Sequence, residues 1–299
     1  MRVLSLTLAA LVLAASPAVA VPAAQAPSQA HFASERISVE VTGSGRDVVL
    51  IPGLSSSPRV WDATIAGVPG YRYHIIVVGG FDGAAPGANA SGAVVGPVAD
   101  EIARYIREAG LEKPAVVGHS LGGTWGMMVA ARQPGLVSKL MVVDMMPFLG
   151  AMFGGPEATP ESLAAVAQQV RSAIATSAGE ARRTQTEQTI AQMVRTEALR
   201  AATVQQSLAS DAAVSGMAMA ELILLDLRPD LAKIDIPITV LWVAPHGAPV
   251  DEAQMEQFYK RSYAAAPQAL IKRIPESYHF IMYDQPALFQ AELKSFLGR

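Results

Sequence analysis

Residues 114–125 have the sequence PAVVGHSLGGTW, in which one serine, Ser120, separates an apolar run from a helix-like run. Positions 115–117 follow a proline and are apolar and mostly β-branched, which is typical of a buried strand in a parallel sheet. Gly118 and Gly122 stand two positions on either side of the serine and allow the strand and the helix to approach closely. We therefore expect the Ser120 hydroxyl to be exposed in a sharp turn at the start of a helix.

The composition of the chain limits the kinds of protein it can be. With 299 residues, of which 51% are hydrophobic, the chain can form one large α/β domain with an insertion. It contains no cysteine, so disulfides and thiolate metal sites are excluded. The net charge is −3 and no basic block is present, so nucleic acid is not an expected partner.

The N-terminal stretch has the pattern of a secretory signal peptide. A single basic residue precedes an apolar run at positions 3–15, and the small residues Ala-Val-Ala end at position 20. We expect residues 1–20 to be a signal peptide, with Ala26 ending an alternative cleavage site, and residues 21–34 to be a flexible leader. The mature protein would then be secreted or periplasmic. An uncleaved membrane anchor here is the alternative, and no later stretch predicts a stable membrane span.

Strand-like and helix-like segments alternate along the chain, which is typical of a mostly parallel sheet covered by helices. Residues 37–41 alternate between apolar and polar and predict an edge strand, whereas the apolar run 48–51 predicts a central strand. Further strands are predicted at 73–78, 139–143, 236–243 and 269–274, and helices at 94–109, 124–132, 251–263 and from 286 to 297.

After residue 149 the composition changes to Ala, Gln, Met and Thr, which predicts helices rather than strands. Thr159 followed by Pro160 is a good helix start, because threonine caps a helix and proline fits its first turn. Two more helices are predicted at 184–198 and 211–225. Several methionines are expected to line an adaptable apolar pocket or, as the alternative, to fill the helix core: Met145, Met146, Met152, Met193, Met217 and Met219.

The G-x-S-x-G pentapeptide around Ser120, placed between a strand and a helix, resembles the nucleophile elbow of the α/β-hydrolase superfamily. The block at 276–286, in which His279 and Phe280 precede a proline and a last helix, resembles the terminal block of the same superfamily. The resemblance covers about residues 48–297 and points to serine esterases and lipases that carry a helical cap.

This resemblance implies the α/β-hydrolase fold, a mostly parallel central sheet flanked by helices with an inserted helical cap. Residues 35–148 and 226–299 would form the core, and residues 149–225 the cap over Ser120. The implied activity is cleavage of a small-molecule carboxylic ester through a Ser-His-Asp triad and an acyl-enzyme, with no cofactor and no metal. The alternatives are hydrolysis of another acyl bond (amide, thioester or carbon–carbon) and a non-catalytic, ligand-binding protein on the same scaffold.

A serine nucleophile needs a base within hydrogen-bonding reach, and histidine is the expected residue. The chain offers five histidines: His31, His74, His119, His246 and His279. His279 follows the last predicted strand, which agrees with the chain order serine, acid, histidine of the superfamily. We therefore expect His279 to be the base, with His246 as the main alternative.

The acid is where this chain departs from the superfamily, because no carboxylate follows the Trp242 strand at the usual place. Asp144 ends the strand that follows the elbow helix, a position that a minority of the superfamily uses. Asp251 lies further along the usual loop, but Gln254 three residues later makes it resemble a helix cap. Asp144 is the expected acid, and Asp251 is the alternative.

The loop after the strand at 48–51 is expected to hold part of an oxyanion hole. The superfamily usually has a His-Gly pair there, and the next residue donates its N–H to the oxyanion. This chain has Pro52 in place of that histidine and keeps Gly53. The expected donors are therefore the N–H groups of Leu54 and Leu121.

Overall fold

The computed structural model describes residues 32–244 and 251–298, so the predicted signal peptide at 1–20 lies outside the described residues, as does most of the predicted leader. The strands are β1 (Ile37–Gly43), β2 (Arg46–Ile51), β3 (Tyr71–Val78), β4 (Ala115–His119), β5 (Lys139–Val143), β6 (Ile238–Trp242) and β7 (Leu270–Arg273). Over the described residues they form a seven-stranded sheet in the order β1-β3-β2-β4-β5-β6-β7.

The sheet is parallel except at one edge. β1 pairs antiparallel with β3, and each of the other neighbouring pairs is parallel. All five residues of β4 and of β6 are buried, whereas most of β1 is exposed or half-buried. The continuous apolar runs therefore belong to strands covered on both faces, and the alternating run belongs to the edge strand, as the sequence predicts.

Helices cover the sheet and fill the long connection between β5 and β6. They are α1 (Asp62–Gly67), α2 (Val95–Glu108), α3 (Leu121–Arg132), α4 (Ala151–Gly154), α5 (Ala164–Thr176), α6 (Gly179–Met193), α7 (Glu197–Ala209), α8 (Ala212–Leu224), α9 (Glu252–Ser262), α10 (Ile281–Asp284) and α11 (Pro286–Gly298). The series from α4 to α8 lies where the helical insertion is predicted. This is the α/β-hydrolase fold that the resemblance implies.

The alternation of side chains along each strand divides the core into two layers. In β2, Val48 and Leu50 pack in the cluster that contains residues of α10 and α11, whereas Val49 and Ile51 pack in the cluster that contains residues of α2, α3 and α9. Successive strand residues point to opposite faces, so one apolar run supplies both layers. The sheet is thereby held between two sets of helices.

Two helices within the insertion begin close to the positions that the sequence predicts. The Thr159 hydroxyl accepts a hydrogen bond from the Ser162 N–H at 3.3 Å, and the 3₁₀ turn Glu161–Leu163 leads into α5. The helix predicted at 211–225 is α8, whose cap Asp211 accepts from the N–H groups of Ala213 and Val214. Local capping chemistry therefore places both helix starts.

The single helix predicted at 184–198 is wrong, because the chain breaks there into α6 and α7. Val194 and Thr196 have extended backbones between the two helices. The Asp284 carboxylate, distant in sequence, accepts hydrogen bonds from the N–H groups of Arg195 and Thr196 at 3.1 and 2.8 Å. Since these N–H groups bond to a tertiary partner, they are not available to continue the helix.

Within residues 32–244 and 251–298, no single helix has the length and apolar composition needed to cross a membrane. The bent pair formed by α7 and α8 passes that length and composition test only when its two helices are counted together.

Candidate active site

Ser120 occupies a strained turn between β4 and α3. Its φ is 54° and its ψ is −124°, outside the regions that residues with a side chain favour. The Ser120 N–H donates to the Val143 carbonyl at 2.9 Å, which ties the turn to the end of β5. A Cβ atom on Gly118 would overlap the Gly122 carbonyl, and one on Gly122 would overlap the Ile51 carbonyl. The two glycines are therefore required by close backbone approach, as the sequence pattern indicates.

Asp144 and His279 meet although they are 135 positions apart in the chain. Asp144 directly follows β5, and His279 lies on the loop between β7 and α10. His279 Nδ1 lies 2.6 Å from Asp144 Oδ2, and the side chains are 21% and 10% exposed. When Nδ1 carries the proton and donates to this carboxylate, Nε2 of the neutral ring is left unprotonated and can accept a proton.

Three further contacts hold the Asp144 carboxylate and backbone in place. The Val243 N–H and the Tyr259 hydroxyl donate to Asp144 Oδ1 at 3.1 and 3.0 Å. The Asp144 N–H donates to the Leu241 carbonyl at 2.7 Å. The backbone φ angle of Asp144 is 52°. Burial raises the pKa of Tyr259 well above 10.0, and the negative charge of Asp144 raises it further. Tyr259 therefore remains a hydrogen-bond donor at neutral pH.

The alternative acid, Asp251, is not brought to this pair. Asp251 caps α9: its carboxylate accepts from the Gln254 N–H at 2.7 Å, and the Gln254 side chain accepts from the Asp251 N–H. This is the capping box that the sequence indicates. His246 and His31 lie outside the described residues. His74 bonds instead to Tyr105 and Asp47, away from the cavity that Ser120 lines.

His119 has a role at the site that the sequence did not reveal. Its side chain is fully buried, and its Nε2 lies 3.0 Å from the His279 carbonyl. Because a carbonyl only accepts, Nε2 must carry the proton. Burial, with a smaller contribution from the charge of His279, lowers the pKa of His119 well below 6.5, so its ring stays neutral. The sequence feature that could have indicated this contact is the position of His119 at the end of the elbow strand, directly before Ser120.

The two expected oxyanion donors belong to the loop after β2 and to the start of α3. Leu121 is the first residue of α3, so its N–H has no acceptor within the helix. Leu54 lies on the loop after β2 and lines the cavity together with Ser120. The Ser55 and Ser215 hydroxyls are 2.7 Å apart, which joins this loop to α8 of the insertion. Both N–H groups therefore stand at the carboxyl edge of the parallel strands, where ligands bind in such sheets.

Ser120, Asp144 and His279 line one cavity of about 640 Å³. Most of the methionines predicted to line a pocket do so, namely Met145, Met146, Met152, Met193 and Met219. Met217 is not among the lining residues; it is two residues from Met219 on α8, so the two side chains leave the helix in different directions. In the part of the chain that the structure describes, no group of three or more His, Cys, Asp or Glu residues is arranged to hold a metal ion.

Comparison with known proteins identifies relatives of this chain. A family model described as the alpha/beta hydrolase family matches residues 48–292. A protein of Yersinia enterocolitica, whose name places it provisionally among the carbamate hydrolases, is 30% identical over 115 residues, which is 37% of this chain and 41% of that protein. The pimeloyl-[acyl-carrier protein] methyl ester esterase of Vibrio cholerae is 29% identical over 132 residues, 44% of this chain and 49% of that protein.

These matches span less than half the length of either curated relative. Among solved structures, an esterase from Exiguobacterium antarcticum superimposes with a TM-score of 0.71 at 20% identity, covering 88% of this chain and 96% of that one. At 20% identity, this superposition shows that the two proteins share a fold and nothing more.

Proposed function

Because the chain belongs to the alpha/beta hydrolase family, we propose that it is a serine hydrolase that cleaves a small-molecule carboxylic ester. In this proposal Ser120 is the nucleophile, His279 the base and Asp144 the acid. The observation that carries it is the 2.6 Å contact between His279 and Asp144 on the cavity that Ser120 lines. A strained serine, a histidine and an oriented carboxylate at one cavity are the parts that acyl transfer needs.

The reaction proceeds by two acyl transfers. The Ser120 hydroxyl attacks the ester carbonyl while His279 Nε2 takes its proton, and the N–H groups of Leu54 and Leu121 stabilise the oxyanion. The tetrahedral intermediate collapses, the C–O bond to the alcohol breaks, and His279 returns the proton to the departing oxygen. Water, deprotonated by the same histidine, then hydrolyses the acyl-enzyme. Every proton in these steps is carried by the chain's own residues or by water, so the proposed mechanism requires no cofactor or metal.

An ester is favoured over other acyl bonds by the name of one curated relative. The Vibrio cholerae relative is named as a methyl ester esterase. The cavity has an apolar wall that includes Leu149, Val170 and Ile174, which suits an acyl chain. Amide, thioester and carbon–carbon bonds could be cleaved by the same residues, so a panel of matched substrates is part of the test.

The first experiment labels the folded protein with a fluorophosphonate probe and measures turnover of p-nitrophenyl esters of increasing chain length. We expect the probe to modify Ser120 and both signals to be lost in Ser120→Ala. Ser177→Ala is the matched control, because Ser177 also lines the cavity but takes no part in the proposed reaction. If folded protein is neither labelled nor active on any ester, the ligand-binding alternative is favoured. Turnover of amides or thioesters alone would change the substrate class.

The secreted or periplasmic location also remains a proposal, supported by the pattern at residues 1–20. Sequencing of the N-terminus of protein secreted or exported by a bacterial host tests it. We expect the mature chain to begin after Ala20 or, at the alternative site, after Ala26. Protein that stays in the cytoplasm with residues 1–20 intact would contradict the proposal.

A further inference from the structure

One face of α6 forms a polar wall of the cavity. Most α6 residues that line the cavity are polar, namely Arg182, Gln185, Thr186, Thr189 and Gln192, whereas Ile190 and Met193 are apolar; together they recur at helical spacing. At the C-terminal end of the helix, the Met193 carbonyl accepts the Phe280 N–H at 3.1 Å, directly beside His279. Because an α-helix rises 1.5 Å per residue, Arg182 lies about 16 Å along the helix from Met193. The polar wall therefore runs from the proposed triad to Arg182.

Arg182 puts a positive charge at the far end of this wall. Its Nη2 donates to the carbonyls of Ser210 and Ser207 at 2.6 and 3.4 Å. A guanidinium has five N–H donors, so the three on Nε and Nη1 remain, and none of them has a partner among the described residues. The guanidinium is therefore held in place through Nη2, and its Nε and Nη1 N–H groups can donate to a ligand.

The charges around the cavity favour an anion at Arg182. Among the described residues that line it, Arg182 is the only Lys or Arg, and Asp144 is the only Asp or Glu. Asp144 is engaged with His279, Tyr259 and the Val243 N–H. Over the described residues Arg182 forms no ion pair, so a bound anion would not compete with an internal carboxylate.

Apolar residues from outside α6 also line the cavity and form an apolar wall, which includes Leu149, Met152, Val170 and Met219. A ligand that fits both walls has an apolar chain with a reactive carbonyl at one end and a polar group at the other. Burying methylene groups against the apolar wall is favourable, and a carboxylate can form charge-assisted hydrogen bonds with a guanidinium.

We propose that Arg182 forms an anion-binding subsite and that the preferred substrates are esters whose acyl chain ends in a carboxylate. The inference rests on the proposed ester hydrolysis for its substrate class, but the subsite can be tested by binding alone. The chemical class is the monoester of an aliphatic dicarboxylic acid. Arg182 acts in binding and specificity and takes no part in the bond-breaking step.

The test uses the Ser120→Ala protein, so that ligands are bound without being consumed. Calorimetry compares monomethyl suberate, which carries one carboxylate, with dimethyl suberate, which is neutral and similar in shape. We expect the monoester to bind roughly tenfold more tightly, and the preference to shrink as salt is raised. Adding Arg182→Gln should remove the preference and leave the affinity for the diester unchanged.

Arg183→Gln is the matched control, because Arg183 is the next residue, is exposed and does not line the cavity. Arg182→Lys keeps the charge and should keep part of the preference, and the diester affinity shows whether each variant is folded. Equal binding of the two esters, no binding of either, or an equal loss of both in Arg182→Gln would overturn the subsite. In the last case Arg182 would serve only to hold α6 to α7.

Turnover by protein with Ser120 intact separates this inference from the proposed function. If the Ser120→Ala protein prefers the monoester but the intact protein hydrolyses no ester, ester hydrolysis is contradicted and the subsite stands. If the intact protein hydrolyses both esters with the same kcat/KM, the subsite is contradicted and ester hydrolysis stands.

Discussion

Single residues at the site are held by contacts that leave them little freedom. Asp144 is in the left-handed backbone region, and its carboxylate faces His279, Tyr259 and the Val243 N–H. Such a carboxylate is oriented before a substrate arrives, so the histidine tautomer is set in advance.

Replacing the acid distinguishes the two candidates. Asp144→Asn should reduce kcat by up to about 10⁴-fold, because an amide beside Nδ1 favours the wrong tautomer of His279. Asp251→Asn is the matched control and should have little effect, since asparagine also caps a helix. Steady-state kinetics on an ester substrate measures both. A large loss in Asp251→Asn with a small one in Asp144→Asn would reverse the assignment.

The buried His119 should make the stability of the protein depend on pH. Its pKa in the folded protein lies well below the 6.5 expected when unfolded, mainly because of burial. The unfolded chain therefore binds more protons below about pH 6.5, and the free energy of unfolding falls as the pH is lowered from there towards the folded pKa. Above about pH 6.5 the contribution is fully present.

His119→Gln should reduce this pH dependence, because glutamine does not titrate and can still donate to the His279 carbonyl. Urea denaturation at about pH 7.5 and about pH 5 measures the two free energies of unfolding. Part of the dependence should remain, since the pKa of His74 is also lowered by burial. A variant that keeps the whole dependence would contradict the role assigned to His119.

At the level of elements, Asp284 joins the helical insertion to the loop that carries His279. Its carboxylate accepts the Arg195 and Thr196 N–H groups between α6 and α7, and also the Tyr278 N–H at 2.9 Å. The break between the helices and the position of the histidine loop therefore depend on one side chain at the end of α10.

Asp284→Asn should lower the free energy of unfolding by roughly 1–3 kcal/mol, because one charged acceptor oxygen becomes an amide nitrogen. We also expect a lower kcat, since Tyr278 precedes His279. Denaturation and kinetics are measured together. Asp226→Asn is the control: Asp226 pairs with Arg228 and should affect stability without changing kcat. An unchanged kcat in Asp284→Asn would show that the loop is held by other contacts.

At the level of the whole molecule, the insertion lines the cavity and is also bonded to the sheet-covering helices. The Glu221 carboxylate on α8 accepts from the Val94 and Val95 N–H groups at 3.1 and 2.7 Å, at the start of α2. A carboxylate at a helix N-terminus is stabilised by the unpaired N–H groups and the helix dipole.

Glu221→Gln should lower the free energy of unfolding by about 1–2 kcal/mol while leaving kcat unchanged well below the Tm. Thermal denaturation should still show one transition, because the insertion and the sheet share the core cluster that contains α2 and α8 residues. Glu187→Gln, on the exposed face of α6, is the control. A Tm equal to that of the control would contradict this link.

The sequence by itself determined the features that depend on neighbours along the chain. The apolar runs place the strands, the glycines at 118 and 122 place the elbow, and Asp251 with Gln254 places a capping box. Each of these is set by backbone conformation, burial or hydrogen bonding within a few residues, so each leaves a local pattern.

Only the tertiary structure decided which distant groups meet. It brings Asp144 to His279 and leaves Asp251 on its helix, it breaks the predicted helix at 184–198 with Asp284, and it leaves Met217 out of the residues that line the cavity. It also gives His119 its partner. These contacts depend on the order in which strands pair and on how helices pack. No short-range pattern contains that information, because the energy of each contact arises only once segments far apart in the chain are in place.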